Sequence, residues 1–155
     1  LTLARGDKDL MRQVMAFTYL QQGVPCLYYG DEIGLTGDMD PDCRKCMVWE
    51  EEKQDRDLLR FTTDLIHLRK SHQKILSEGS LNWNVISEEE GLIIFERELG
   101  AQRIIGIFNT GEDQLTLSCP EEILLDQFMQ IEDETMIIDN KGFVIAKINN
   151  EISNN

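Results

Sequence analysis

Apolar residues in this chain change their spacing near residue 74. Upstream they recur three and four residues apart; downstream they fall in short segments, several of which alternate with polar residues. These periods belong to helix and strand respectively, and one regular element cannot serve both. The chain is therefore expected to fold as two modules of different class, α/β and then all-β, with the boundary at residues 72–78.

The first module predicts a helix over residues 7–20, with Asp7 as N-cap and Leu10, Val14, Phe17 and Leu20 at helical spacing. Gly23 and Pro25 stop it. Residues 24–29, Val-Pro-Cys-Leu-Tyr-Tyr, form an apolar run closed by Gly30, the pattern of a strand buried on both faces. Residues 30–50 carry glycines, Pro41 and little periodicity and predict a long loop, a length that in a compact domain points to function. A second helix is expected over 56–71, with an apolar face including Leu58, Leu65 and Leu68 and with Arg69, Lys70 and His72 at its C-terminal end. One strand cannot bury both faces without neighbours. Residues 1–73 therefore read as the last part of a (β/α)8 barrel whose other strands lie upstream, and the opening Leu1-Thr2-Leu3-Ala4 reads as the interior of a longer chain.

Beyond residue 74, strands are expected at 81–87, 92–98, 102–109, 113–118, 134–138 and 142–148, with turn signals such as Glu90-Gly91, Gly100, Thr110-Gly111 and Asn140-Lys141-Gly142. This spacing suggests an antiparallel β-sandwich as the C-terminal domain, 74–155, with Asn149 to Asn155 as a frayed tail. No internal repeat is present.

The net charge of −14 is concentrated in the second module. Residues 1–73 carry 10 basic and 13 acidic groups, and residues 74–155 carry 5 and 16. So acidic a surface repels phosphate backbones and anionic membranes, which argues against nucleic-acid and membrane partners and leaves neutral ligands such as sugars. No apolar run approaches the roughly 20 residues that span a bilayer. The four cysteines include a Cys43-x-x-Cys46 pair. Such spacing occurs in redox sites and as half of a zinc site, but no second close pair supplies the other ligands, so the expectation is plain reduced thiols in a cytoplasmic protein, with no cofactor or metal.

The loop after residue 29 holds the candidate site: Asp31, Glu32, Asp38, Asp40 and Asp42, then Arg44. An EF-hand reading of Asp38, Asp40 and Asp42 fails where glycine and glutamate are required, at Cys43 and Trp49. Two readings stay open: a solvated loop whose Asp and Arg pair with each other, or a sugar site in which carboxylates accept from hydroxyls and a guanidinium donates in a fixed fork.

The run Gly23-Val24-Pro25-Cys26-Leu27-Tyr28-Tyr29-Gly30-Asp31-Glu32-Ile33-Gly34 resembles the segment around the eighth strand of α-amylase-superfamily barrels. Its continuation, Gly37, Asp40-Pro41-Asp42-Cys43-Arg44-Lys45-Cys46-Met47-Val48-Trp49, looks like the neopullulanase, cyclomaltodextrinase and maltogenic amylase group, and Leu65-Ile66-His67-Leu68-Arg69-Lys70 fits the last barrel helix. The resemblance is close over 1–73 and one of kind over 74–155.

It implies the C-terminal portion of a retaining α-glucan hydrolase acting on cyclodextrins, pullulan or maltooligosaccharides. Such chemistry uses two carboxyl groups about 5–5.5 Å apart. The family's nucleophile, acid/base and third carboxylate would all lie upstream, so no catalytic residue is expected here and the chain alone should be inactive. Asp40 and Arg44 match loop residues that bind glucose units, while Tyr29, Gly30 and Glu32 would shape the active-site loop and Trp49 would pack in its core. Trp83 is expected in the sandwich core. The alternatives are a structural or carbohydrate-binding module without catalysis, and a related glucanotransferase or α-1,6-glucosidase. A homodimer through absent upstream regions is a further expectation.

Overall fold

The computed structural model describes residue 2 and residues 4–148. The expected tail at 149–155 lies outside the described residues. The chain divides into two compact units. The first runs to Ser71 and leaves out Leu20–Gly23; the second consists of Leu20–Gly23 and the chain from His72 onward. No described helix is long and apolar enough to cross a membrane.

The first unit is built on two helices. Helix α1 spans Lys8–Leu20. Asp7 caps it, its Oδ1 accepting from the N–H groups of Asp9 (3.0 Å) and Leu10 (2.9 Å), which relieves two of the donors left free in a first turn. The buried face carries Gln13, Met15, Ala16, Tyr19 and Leu20, so it is rotated from the expected stripe: Val14 is half exposed. Helix α2 spans Arg56–Ser71 and buries Leu58, Thr62, Leu65 and Leu68. Asp55 caps it through Leu58 N–H at 2.9 Å, and its other oxygen lies 2.7 Å from Lys8 Nζ.

The strand expected at 24–29 is absent. The residues lack strand pairing, and Val24, Cys26, Tyr28 and Tyr29 are exposed rather than buried on two faces. The physical reason is the one its pattern implies: a parallel strand exists only through hydrogen bonds to neighbouring strands, and the described residues of this unit contain none. The anticipated end of a (β/α)8 barrel is thus helix, extended segment, loop and helix, without a barrel.

In the second unit, the short helix α3 (Gln73–Glu78) precedes β1 (Ser80–Ser87), β2 (Leu92–Leu99), β3 (Gln102–Asn109), β4 (Leu115–Ser118), β5 (Glu122–Glu132) and β6 (Thr135–Ile148). The expected pair of packed sheets is instead one antiparallel six-stranded sheet, ordered β1-β2-β3-β6-β4, with β5 on the other edge of β6. The reason is the length of β6: its second half pairs with β3, its first half with β4, and β5 follows it from end to end. The ladder slips at Phe128 and over Asp139–Gly142, so the register shifts there while β6 runs on as one strand. The turn signal at Asn140-Lys141-Gly142 falls on this shift rather than between two strands. Lys141 takes φ 60°, and a Cβ on Gly142 would meet the Gln127 oxygen at 2.9 Å.

Both faces of the sheet are apolar. On one, the rings of Phe95, Phe108 and Phe143 stack in series at 5.7 and 5.9 Å, with Trp83 against Phe95 at 5.1 Å. On the other, Leu92, Ile107, Met136, Ile138, Val144 and Ala146 form a buried cluster. Trp83, expected in the core, is half exposed at the edge strand β1. Arg97 is fully buried, and its guanidinium donates to the carbonyls of Ser80, Leu20, Leu76 and Gly79.

Candidate functional site

The loop between the extended segment and α2 begins at Gly30, where φ is 90°. A side chain there is strained by the backbone, and its Cβ would lie 2.6 Å from a Leu35 methyl carbon. A 3-10 turn, Asp31–Ile33, follows, and Ile33 is buried. The Glu32 carboxylate reaches back to accept from Gly30 N–H at 2.8 Å, closing the turn on itself. Tyr29 stands just before this turn, and its hydroxyl donates to the Lys45 carbonyl at 2.9 Å, tying the start of the loop to its far arm.

The far arm carries the candidate binding residues. The Asp40–Pro41 peptide is cis, and the next residues form a 3-10 turn, Asp42–Arg44. Arg44 Nε donates to Asp40 Oδ1 at 2.8 Å, and its Nη2 lies against the same oxygen. Asp40 and Arg44 are 63% and 64% exposed, so this pair sits in water. Such a pair is worth about 0–1 kcal/mol. The sequence left open whether these residues pair with each other or meet a ligand; they pair, and the pair is weak enough to be exchanged for other hydrogen bonds.

Lys45 is the residue that sequence reasoning passed over. Its Nζ holds Asp42 Oδ2 at 2.9 Å and the Thr36 carbonyl at 3.1 Å. Asp42 also accepts from Asp38 N–H at 2.8 Å. The Lys45 ammonium, and then the Asp38 N–H, hold the Asp42 carboxyl below the usual carboxylate range. The three-residue spacing of Asp42 and Lys45 across a turn was the available signal. Each of Asp38, Asp40 and Asp42 is therefore engaged separately: Asp38 Oδ1 accepts from Met39 N–H at 2.9 Å. Among the described residues no group of three or more His, Cys, Asp or Glu side chains converges as a metal site.

Trp49 is 78% exposed, against the expectation that it packs in the core. Its neighbours explain the difference. Val48 is held by its carbonyl, which accepts from Gln54 Nε2 at 2.8 Å, and the polar run from Glu50 to Lys53 offers no apolar cover. Tyr28 and Tyr29 pack against each other with ring centroids 4.6 Å apart. Beside them a cavity of about 350 Å³ is lined by Leu10, Val14, Leu27, Leu35 and Cys43, among others.

No family model matches the chain. It is 49% identical over 111 residues to an intracellular maltogenic amylase of Bacillus subtilis, a match covering 72% of this chain and 19% of that protein. The chain belongs to the α-amylase family. It falls with the maltogenic amylases, cyclomaltodextrinases and neopullulanases. A cyclomaltodextrinase from a Bacillus species is 40% identical over 119 residues, covering 77% of this chain and 21% of that enzyme. Among solved structures, a cyclic α-maltosyl-(1→6)-maltose hydrolase from Arthrobacter globiformis superposes with a TM-score of 0.77 at 29% identity, over 96% of this chain and 32% of that one. The chain thus spans about a fifth of the length of these sequence relatives, and the matched region is their C-terminal part.

Proposed function

We propose that this chain is the C-terminal portion of a retaining α-glucan hydrolase acting on cyclodextrins, pullulan or maltooligosaccharides, and that its loop from Gly30 to Trp49 handles the glucan while the catalytic carboxylates lie elsewhere. In the complete enzyme, residues 1–73 would supply helix 7, strand 8, the long loop and helix 8 of a catalytic (β/α)8 barrel, and residues 74–155 its C-terminal β domain. Pairing with an upstream strand would then give 24–29 the partner its sequence pattern calls for. A cytoplasmic location accords with the relative named as an intracellular amylase.

The observation that carries this reading is the exposed Asp40–Arg44 fork on a loop tied down at its base by Tyr29, Glu32 and Lys45. A rigid base with a solvated carboxylate and guanidinium at its tip suits recognition of a neutral polyol: the carboxylate accepts from sugar hydroxyls and the guanidinium donates. Trp49 adds an exposed ring on the same arm. Arg44→Ala in the complete enzyme tests the assignment. Loss of a charge-assisted hydrogen bond, about 1.5–3 kcal/mol, should lower kcat/KM on maltotriose about 10- to 150-fold. Unchanged kinetics would remove Asp40 and Arg44 from the site.

A further inference from the structure

The C-x-x-C pair is not absorbed by glucan binding. Cys43 and Cys46 are both exposed free thiols. Run straight, the three residue steps between them would separate their Cα atoms by about 10 Å, whereas a disulfide needs roughly 4.4–6.8 Å. The backbone does not run straight: Cys43 lies inside the 3-10 turn Asp42–Arg44, and only from Lys45 does the chain extend. The turn is also held. A Cβ on Gly37 would lie 2.9 Å from Cys43 Cα, so the glycine lets the two strands of the loop close on each other. Tyr29 fixes Lys45 by its carbonyl.

We propose that Cys43 and Cys46 are a redox modification site that forms a reversible disulfide by exchange with low-molecular-weight disulfides. The Cys43 thiolate attacks a small disulfide, giving a mixed disulfide and one small thiol. The Cys46 thiolate then attacks the Cys43 sulfur and expels the second small thiol. The protein dithiol is oxidised, the small disulfide is reduced to two thiols, and these take up the two protons. The new bond encloses Arg44 and Lys45 in a small ring and fixes the backbone from which Arg44 reaches Asp40. It forms or fails whether or not the loop binds glucan.

The test equilibrates the whole chain with oxidised and reduced glutathione, folded and in denaturant, then quenches with acid, alkylates and digests with trypsin. Trypsin cuts after Arg44 and Lys45, so Cys43 and Cys46 part company in the reduced chain and stay joined in the oxidised one. A joined Cys43–Cys46 species should dominate, with an equilibrium constant at least tenfold larger in the folded chain, a shift of about 30 mV. Cys46→Ser should leave Cys43 as the glutathione adduct. Separate adducts on Cys43 and Cys46, a dominant Cys26–Cys43 bond, or equal constants in folded and denatured chain would each overturn the proposal.

Discussion

Arg97 Nη1 lies 2.9 Å from the carbonyl oxygen of Leu20, a residue of the same, second unit. The same nitrogen meets the Leu76 carbonyl at 2.9 Å, Nη2 meets Gly79 at 2.7 Å and Nε meets Ser80 at 3.1 Å. A planar guanidinium with five fixed donors can hold several helix-end carbonyls at once, where an ammonium cannot match the fork. Arg97→Ala strips the donor from four carbonyls in a buried region. Urea unfolding should show a loss of about 3 kcal/mol or more, and Arg97→Lys should recover only part of it. A loss below about 1 kcal/mol in Arg97→Ala would mean the clasp contributes little.

The Asp40–Arg44 pair predicts a separation of stability from binding. Because both groups are exposed, Asp40→Asn should change unfolding free energy by less than about 1 kcal/mol. The same variant of the complete enzyme should nevertheless raise KM for maltotriose, since an amide oxygen accepts more weakly than a carboxylate. A large stability loss with unchanged KM would reverse the assignment.

Gly30→Ala should strain the base of the loop. The backbone at φ 90° disfavours a side chain by roughly 1–2 kcal/mol, and the added carbon meets Leu35. Thermal unfolding of the first unit should move to lower temperature, and Gly30→Ala/Leu35→Ala should recover part of the shift by removing the contact. No change in either variant would contradict the described turn.

His72 gives a pH dependence with a definite sign. Burial pushes its pKa below 6.5; the nearby Lys147 ammonium adds to this and Glu122 opposes it. The folded state therefore binds this proton less readily than the unfolded chain. Its contribution to stability is present above pH 6.5 and is lost as pH falls through the window below that value. Unfolding free energy should fall as pH drops from 7 through the range below 6.5, and His72→Gln should flatten that slope. Parallel slopes in the two proteins would show that His72 does not titrate with folding.

Much of the second unit was legible because β2 and β3 are dense in apolar and β-branched residues and pair in unbroken register, and Gly91 and Gly100 at positive φ mark turns with a residue suited to them. Strand β5 was not legible. Its parity slips at two bulges, one at Phe128 with φ 52°, and the turn to β6 uses Asp133 and Glu134 at positive φ where no glycine signals it. In the first unit both long helices could be read from periodicity and caps. The exposure of 24–29 could not, because an apolar run does not by itself show whether neighbouring strands are there to pair with it. Of the site, the acidic residues and Arg44 stood out by type. Their partition into Asp40–Arg44 and Asp42–Lys45 depends on a turn that periodicity does not encode.

On the proposed function, this chain carries a glucan-handling loop, and the carboxylates that cleave the glycosidic bond lie elsewhere in the enzyme. The most direct measurement is hydrolysis of β-cyclodextrin and pullulan by the chain itself at high concentration, read as reducing sugar. No turnover above a blank is expected. Turnover that co-purifies with the chain and disappears when Asp31, Glu32, Asp40 or Asp42 is replaced would contradict it, and would place catalysis within the loop itself.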